Sequence, residues 1–391
     1  MKRNVLFLCL TLGCSLGFAA CGDNNGEEFV PEEWSFTNLP DDSGSRPTAE
    51  QLSATVTQYV DHVVLPTYKD MLDKMTLYKQ SVDAFLSSGS QNDLDNACDA
   101  WRNVRVPWEE SEAFLYGVAD LGQYDPSLDT WPLDRDGITQ VITGGDFSDF
   151  NEDSEVAQNL RGFHTAEMLL FENGDPRNAS ELTANEKTYL RLVSERMLKD
   201  TEELYNGWKD GLGRDPIPSS YAEAMKAHDG SSDYAGLNSA AQAIELILNG
   251  NNGMAGIANE VGTAKIMDPV NLWNGGDQEG GVLAVESWYS WNSLTDFHDN
   301  IISIKNSYFG GRDLDAETAS ENSISSMIKM VNPTLDSLVI VQIEKTIEAI
   351  DNIPAPFRDH LDAATEINAA SKACTDLRDG LELVSNKLAG N

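Results

Sequence analysis

A histidine and a glutamate one helical turn apart have the clearest chemical potential in this sequence. They lie in a Gly-x-His-x-x-Glu pattern that begins at Gly162. On a helix this spacing brings the His164 imidazole and the Glu167 carboxylate to one point, where they can bind a metal ion or handle a proton. A hydrogen-bonded surface or interface pair has the same spacing. We expect Gly162 to let another backbone or a ligand approach closely.

A second polar set lies on a helix predicted over residues 93–116. Trp101, Arg105, Trp108 and Glu112 follow one another at i, i+4, i+7 and i+11, which places them on one face. Burial of Arg105 and Glu112 between two indoles is unfavourable unless each charge is paired. These two charges therefore indicate either a structural ion pair or part of a functional site, whereas the tryptophans are most simply core residues.

The same spacing recurs in the second half of the chain. Glu286, Ser290, Ser293 and Phe297 share one face of a helix predicted over residues 282–306. Serines in a helix commonly donate to the backbone carbonyl one turn earlier, which is a structural explanation. The functional alternative is that this face lies opposite the histidine motif across a domain interface, where small-molecule sites are common.

Helical periodicity dominates the chain, and no run shows the alternation of a half-buried strand. We predict an all-α fold of two tandem helical bundles, with a long irregular loop at 117–136 in the first bundle. The apolar stripe over residues 49–86 predicts a long amphipathic helix that Pro66 kinks. Further helices are predicted at 137–143, 155–172, 184–209, 221–228, 233–265, 282–306, 315–331, 335–351 and 356–388.

The length indicates two domains, because about 350 residues are more than one core usually organises. The Gly-, Pro- and Ser-rich segment 211–220 is the expected boundary between an N-terminal bundle at 48–210 and a C-terminal bundle at 221–391. Cysteines are sparse. Cys98 and Cys374 could bridge the first bundle to the last helix in an oxidising compartment, or remain two buried thiols.

The N-terminus predicts export. Two basic residues precede an apolar stretch, residues 5–20, that is short for a bilayer span and typical of a signal peptide. It ends Phe18-Ala19-Ala20-Cys21, which resembles the lipobox of bacterial lipoproteins, although Phe18 stands where leucine is usual. We therefore expect a lipoprotein signal peptide at 1–21, acyl chains on Cys21, and an acidic flexible tether at 22–47. An ordinary secreted protein cut nearby is the alternative.

The charge balance excludes several partners. The chain has 27 basic and 64 acidic residues, and loss of residues 1–21 removes Lys2 and Arg3 to leave 25 against 64, a formal charge of −39. Such a surface repels nucleic acid and anionic lipid, so acyl chains are the expected membrane attachment. It could attract cations, although solubility alone also explains it.

The chain resembles the imelysin family over about residues 50–388, and four motifs in consistent order carry the resemblance. That family includes insulin-cleaving membrane proteases, cyanobacterial iron-regulated proteins and the larger domain of an iron-uptake lipoprotein. The motifs are the Trp101-Arg105-Trp108-Ser111-Glu112 set, the Leu128–Asp134 loop with Trp131 and Asp134, the Gly162-x-His164-x-x-Glu167 motif, and the Glu286–Ser293 segment with Ser290.

The resemblance implies two helical bundles with a site at their interface, built around the histidine motif. It also implies a role near iron acquisition at the cell envelope, in the outer membrane and beside iron-transport components. Members of the family have been classed as metallopeptidases. The same likeness makes all the motif residues above candidates for that interface site.

The residues do not simply support a peptidase. A zinc peptidase needs about three protein ligands, an open coordination position and a general base. The inverse helical motif His-x-x-Glu-His requires a histidine at position 168, which is Met168 here. A set of His164, Glu167 and Glu112 remains possible, and carboxylates with one imidazole suit iron at least as well as zinc. We therefore predict an iron or iron-related binding protein. A metallopeptidase using His164 and Glu167, and a structural envelope protein without a ligand, are the alternatives.

Overall fold

The computed structural model describes residues 34–148, 150, 155–232, 234–250 and 252–389. The predicted signal peptide, Cys21 and the first part of the tether lie outside these residues. Within them, none of the helices combines the length and the apolar character that a bilayer span requires. The predicted all-α fold is confirmed, because the β-structure of the described residues amounts to one two-stranded ribbon and two isolated bridges.

The first half contains ten α-helices among its described residues, together with the ribbon. In chain order they are α1 Ala49–Tyr59, α2 Leu65–Ser88, α3 Gln91–Glu109, α4 Val118–Leu121, α5 Tyr124–Leu128, α6 Arg135–Gly144, α7 Glu155–Gln158, α8 Phe163–Leu170, β1 Phe171–Glu172, β2 Asp175–Pro176, α9 Ala184–Lys209 and α10 Tyr221–Ala227. Two further turns have other geometries, a π-helical turn at Val60–Val64 and a 3₁₀ turn at Glu112–Phe114.

The second half is also helical. Its α-helices are α11 Ala240–Asn249, α12 Met254–Glu260, α13 Met267–Asn274, α14 Gln278–Leu283, α15 Ser293–Phe309, α16 Ile324–Val331, α17 Pro333–Asp351 and α18 Ala364–Leu388. A π-helical turn at Val261–Lys265 joins α12 to α13, and a 3₁₀ turn lies at Phe357–Asp359.

The two predicted bundles are present and lie against each other. In the first, α2 packs along both α3 and α9; in the second, α18 packs against α12 and α17. Contacts of α15 with α3, and of α12 with the 3₁₀ turn at Glu112–Phe114, join the two bundles. Helix α10 packs on α9 and α1 of the first bundle. The boundary at 211–220 stays a prediction.

A π-helical turn interrupts the long first helix just before Pro66, the residue at which the sequence predicts a kink. The π-helical turn separates α1 from α2, and Pro66 lies in the first turn of α2. A π-helical turn leaves the local hydrogen-bond ladder irregular, and the first turn of a helix has unpaired N–H groups in any case. The missing N–H of Pro66 is therefore tolerated there.

Four predicted helix boundaries near the bundle interface are wrong. Helix α3 ends at Glu109, the 155–172 helix is broken at Gly162, the 233–265 helix is split around Gly250 and Gly253, and residues 284–292 are irregular before α15. In each case the helix stops at a glycine, or a hydrogen bond to a distant element takes the place of a helical hydrogen bond. After α3, for example, the Ala113 N–H donates to Ser303 Oγ of α15 at 2.7 Å.

Part of the predicted tether packs on the folded domain. The backbone N–H groups of Ser43 and Gly44 both donate to the Val331 carbonyl at 3.2 Å, and Phe36 packs against the core beside Gly380. Phe36 buries apolar surface there. The acidic composition of the segment gave no indication of this contact. Residues 34–47 therefore belong to the domain, and the rest of the predicted tether, residues 22–33, lies outside the described residues.

Cys98 and Cys374 do not form a disulfide. Both are free and buried, one in α3 and one in α18. Burial raises the pKa of both thiols, because it disfavours the charged thiolate. Of the two alternatives left open by the sequence, the structure therefore has the buried thiols.

Candidate functional site: a buried ionic cluster between the two bundles

A cluster of nine ionisable side chains lies where the bundles meet, and we refer to it as the ionic cluster. Each member is almost fully buried, with 10% or less of its side chain exposed. The first bundle contributes residues of α3, the 3₁₀ turn at Glu112–Phe114, the α5–α6 loop and α8. The second contributes residues of the π-helical turn at Val261–Lys265, the α14–α15 loop and α15. The members are Arg105, Glu109, Glu112, Asp129, His164, Glu167, Lys265, Glu286 and Asp296.

Arg105 is at the centre of the cluster. Its guanidinium forms an ion pair with Glu109 and contacts Asp129 at 2.5 Å, Asp296 at 3.2 Å and Glu286 at 3.4 Å. Burial alone would lower the pKa of Arg105, but these four carboxylates raise it well above its usual range. Arg105 is therefore a permanent cation that ties α3 to the second bundle.

The two nitrogens of the His164 imidazole face different carboxylates. Nδ1 lies 3.1 Å from Glu167 Oε2 in a hydrogen bond. Nε2 is fully buried and lies 3.1 Å from Asp129 Oδ1 and 3.7 Å from Glu286 Oε1, and these ion-pair contacts lack the geometry of a hydrogen bond. A buried nitrogen that faces two carboxylates without a hydrogen bond is well placed to bind a metal ion.

Glu167 and Trp131 hold the imidazole from two sides. The other carboxylate oxygen of Glu167 accepts from the backbone N–H and the hydroxyl of Ser290, both at 2.7 Å. The Trp131 ring packs edge-on to the imidazole with centroids 4.7 Å apart, and its indole N–H donates to the Ala284 carbonyl at 2.9 Å. Both contacts anchor the first bundle to the α14–α15 loop, so the interface itself fixes the orientation of His164.

Lys265 is the second cation of the cluster. Its Nζ lies 3.1 Å from Glu286 Oε2 and 3.7 Å from Glu112 Oε1. Burial would lower the pKa of Lys265, but the charges of Glu112 and Glu286 raise it well above its usual range. The lysine therefore remains an ammonium ion.

The carboxylates divide into two groups by pKa. Burial tends to raise the pKa of five of them, but Arg105 and His164 lower the pKa of Asp129, and Lys265 and His164 lower that of Glu286 to about 2. Burial prevails at the other three carboxyls that show a shift, and it raises the pKa values of Glu109, Glu112 and Asp296. The two carboxylates closest to His164 Nε2 are thus ionised.

Carboxyl groups outnumber cationic groups in the cluster. Six carboxyl groups face two permanent cations, Arg105 and Lys265, and an imidazole whose pKa the Asp129 charge raises against the effect of burial. Buried charges are unfavourable unless they are compensated. The cluster must therefore take up protons or a cation.

A cavity of about 520 Å³ connects the cluster with solvent. Its outer wall contains the exposed acids Glu260 and Asp268, and its inner wall contains Glu112, Asp129 and Glu286. The remaining lining includes Asp125, Trp131, Pro132, Lys265 and Ala284. Acidic groups along the whole path attract cations towards the buried end.

Three sets of side chains in the described residues bring ligand atoms within 4.8 Å of one another. They are Asp129-His164-Glu286, Glu109-Glu112-Asp129 and Glu109-Glu286-Asp296. The guanidinium of Arg105 already contacts every member of the last set. The first set is distinguished by an imidazole nitrogen that faces two carboxylates, and its atoms suit a hard or borderline metal ion.

Comparison with known proteins agrees with this architecture. The sequence profile of the imelysin family, which is named as a peptidase family, matches residues 64–384. The chain belongs to the imelysin family.

Two relatives of this imelysin carry iron in their names. It is similar to iron-regulated protein A of Synechococcus elongatus, with 27% identity over 78% of this chain and 77% of the relative. It is also similar to a crystal structure described as an iron-regulated protein A precursor from Parabacteroides distasonis, with 61% identity and a TM-score of 0.88 over 91% of this chain and 100% of the other. An imelysin-like protein from Psychrobacter arcticum shares the fold alone, at 14% identity and a TM-score of 0.59 over 88% of this chain and 95% of the other.

Most residues singled out from the sequence meet at the cluster, but through different contacts from those expected. The sequence predicts that His164 and Glu167 meet at one point. In the structure Glu167 pairs with the imidazole Nδ1, whereas Asp129 and Glu286 lie near Nε2. Glu112 lies in the 3₁₀ turn and not on the Trp101 face of α3. It reaches the cluster from the cavity wall.

The expectation that Glu286, Ser290, Ser293 and Phe297 share a helix face is wrong. Ser287 and Trp291 have positive φ angles of 50° and 61°, so residues 284–292 cannot be helical. The Ser293 hydroxyl instead donates to the Glu286 carbonyl at 2.5 Å. The alternative, that this segment lies opposite His164, holds for Glu286 and Ser290. Phe297 packs in the core.

Three of the four remaining candidates have supporting positions. Trp101 donates to the Phe163 carbonyl at 3.1 Å, and Trp108 donates to Asp129 Oδ2 at 2.6 Å. Ser111 donates to the Trp108 carbonyl at 2.6 Å. Asp134 is exposed and caps α6 through the Gly137 N–H, so it lies outside the cluster contacts.

Gly162 permits the close approach expected of it. It immediately precedes α8 with φ +95° and ψ −167°, a conformation essentially restricted to glycine. A Cβ at this position would lie 2.4 Å from the Leu128 carbonyl oxygen. The glycine therefore brings the start of the histidine helix against the loop that carries Asp129.

Sequence reasoning did not single out four members of the cluster. Asp129 lies inside the Leu128–Asp134 motif, and Glu109 follows Arg105 by one helical turn, so spacing could have indicated both. Asp296 and Lys265 come from segments whose helical positions were wrongly predicted. Their roles depend on contacts between the bundles.

Proposed function

We propose that this imelysin is a metal-binding protein of the cell envelope that handles iron, with Asp129, His164 and Glu286 as its protein ligands. The observation that carries the proposal is the fully buried His164 Nε2, which has no hydrogen-bond partner and faces two ionised carboxylates. Two carboxylates and one imidazole suit iron at least as well as zinc, which favours nitrogen and sulfur ligands. The names of the two iron-regulated relatives support the same choice.

Glu167 would then orient the ligand and not bind the metal. A metal-bound histidine usually donates its other N–H to a carboxylate or carbonyl, which fixes the ring and its tautomer. Glu167 accepts in this position, and Ser290 anchors it with two bonds. Glu112, the other ligand predicted from the sequence, lines the cavity leading to the site.

Metal titration of the full chain tests the proposal. We expect about one equivalent of Fe(II) under anaerobic conditions, with tighter binding than Zn(II). His164→Ala should weaken Fe(II) binding at least about tenfold, because it removes a ligand. His298→Ala is the matched control, because that imidazole is one-third exposed and pairs with Asp351 at 2.8 Å. Fe(II) affinity that is the same in the wild type and in His164→Ala contradicts the proposed site.

The same preparation tests the metallopeptidase alternative, which the name of the family profile favours. That reaction needs bound zinc and a cleaved protein substrate. Stoichiometric zinc in the purified protein, with proteolysis that His164→Ala abolishes, would establish the peptidase and refute a purely binding role.

We further propose that acyl chains on Cys21 anchor the protein to the outer membrane and that residues 22–33 link it to the domain. The Phe18–Cys21 pattern supports this. Cys21→Ser should move the protein from the membrane fraction to the soluble fraction, and mass spectrometry of the wild-type N-terminal peptide should detect the acyl chains. Wild-type protein recovered without acyl chains would contradict the anchor.

A further inference from the structure

Lys265 is a cation built into the wall of the cavity that leads to the metal ligands. It is the last residue of the π-helical turn between α12 and α13, and only 10% of its side chain is exposed. Its ammonium lies 3.3 Å from Glu286 Oε1 and 3.1 Å from Oε2, so it contacts both oxygens of a proposed ligand. Arg105, by contrast, is fully buried and does not line the cavity.

We propose that the Lys265 ammonium competes with the incoming metal ion for Glu286 and thereby limits affinity and speeds release. The proposal rests on the metal site proposed above and assigns the lysine a role in it. Lys265 lines the cavity and His164 does not, so an ion that enters from solvent meets the ammonium before the imidazole. Two cations that share one carboxylate in a buried site repel each other strongly.

The ammonium has a second carboxylate within reach. Glu112 Oε1 lies 3.7 Å from Nζ, on a different element from Glu286. A flexible four-carbon stem allows the charge to move between these two acceptors. When the metal takes Glu286, Lys265 shifts towards Glu112, and when the metal leaves, the lysine returns.

The backbone beneath Lys265 is held in place, so the movement is confined to the side chain. A Cβ at Gly262 in the same turn would lie 2.8 Å from Cys374 Cβ and 3.0 Å from the Ser371 carbonyl oxygen. The turn is therefore packed directly on α18, which is consistent with the occurrence of π-helical turns at functional sites.

Lys265→Met in the full chain tests this role, because methionine keeps an apolar stem of similar length without the charge. We expect the Kd for Fe(II), and for Zn(II) as a second probe, to fall at least about tenfold, and release to a chelator to slow by a similar factor. Lys265→Arg should restore weaker binding. Lys226→Met is the matched control, because that lysine pairs with Asp61 at 3.1 Å on the other π-helical turn and should leave the Kd unchanged.

Glu112→Gln provides an independent measurement. Glu112→Gln removes the second partner of Lys265, so the ammonium stays on Glu286. The Kd for Fe(II) should therefore rise severalfold when Lys265 is present. It should change little when Glu112→Gln is combined with Lys265→Met. A gain in affinity cannot arise from damage to the fold, which can only weaken binding.

The outcomes separate the two proposals. If the wild type binds metal but Lys265→Met binds it equally or more weakly, competition by Lys265 is wrong and the metal site stands. If neither protein binds Fe(II) or Zn(II), the proposed function fails and the role of Lys265 fails with it.

Discussion

Individual side chains in the cluster have roles that depend on which atom meets which partner. The two nitrogens of His164 face different carboxylates, Glu167 on one side and Asp129 with Glu286 on the other. A residue spacing of three places the first pair together but says nothing of the second. The proposed roles of Glu167 in orientation and of Asp129 and Glu286 in metal binding therefore rest on distances between atoms.

Gly162 gives a prediction at the scale of one residue. Gly162→Ala should destabilise the protein by about 2 to 4 kcal/mol, because alanine is strained at φ +95° and its Cβ would clash with the Leu128 carbonyl. Urea denaturation measures the change in the free energy of unfolding. Gly144→Ala is the control, because nothing lies within 4 Å of a Cβ there and alanine favours the helix. Equal stabilities for the two variants would refute the argument.

At the scale of elements, a buried polar network fixes the loop that carries Asp129. The Asp200 carboxylate in α9 accepts from Arg196 Nε at 2.7 Å and from the Ser127 hydroxyl in α5 at 2.6 Å. Asp200 and Ser127 are both 1% exposed. Since Ser127 is two residues before Asp129, α9 positions a proposed metal ligand that it does not touch.

We predict that Asp200→Asn destabilises the protein by about 2 kcal/mol, because the buried hydrogen bonds from Arg196 and Ser127 lose a charged acceptor. Fe(II) affinity should fall as well, since the Asp129 loop is no longer held. Glu195→Gln removes the exposed i, i+4 pair with Arg191 on the same helix and should change stability by no more than about 0.5 kcal/mol. Chemical denaturation and metal titration of both variants provide the comparison. A loss of stability without any loss of Fe(II) affinity would show that α9 does not position the ligand.

At the scale of the whole molecule, an excess of buried acid couples folding to pH. Burial, with the nearby charges of Asp296 and Glu110, raises the pKa of Asp299 to about 8, and burial with the Asp129 charge raises that of Asp125 to about 7. The folded state therefore binds more protons than the unfolded chain between the ordinary aspartate pKa and these values. The contribution of these two groups to stability is therefore fully present below the ordinary aspartate pKa and decreases as the pH rises through their folded values.

Replacement of Asp299 by asparagine should flatten this dependence. The wild type is expected to lose up to about 2 kcal/mol more than Asp299→Asn between pH 6 and pH 8, since asparagine has no proton to lose. Equilibrium unfolding at a series of pH values measures the difference. Asp83→Asn, in an exposed pair with Lys79, should keep the wild-type slope. Parallel curves for the wild type and Asp299→Asn would contradict the assignment.

The sequence alone determined the helical class, the two bundles, the interruption at Pro66 and most of the residues that meet at the interface. Apolar periodicity and the special backbone of proline act over a few residues, so they can be read directly from the chain. The motifs around Arg105, His164 and Glu286 could be recognised because each contains unusual polar residues among apolar ones.

The tertiary structure alone decided where α3 ends, why residues 284–292 leave the helix, and how Lys265, Asp129 and Asp296 join the cluster. Asp129 is brought in by Arg105, Trp108 and His164 of its own bundle, whereas the other features depend on a group from the other bundle, such as the Ser303 hydroxyl at the end of α3 or the Glu167 carboxylate that binds Ser290. Local propensity is worth a few tenths of a kcal/mol per residue, whereas a buried charge without a partner costs several. Contacts between the bundles therefore override the local pattern at the site.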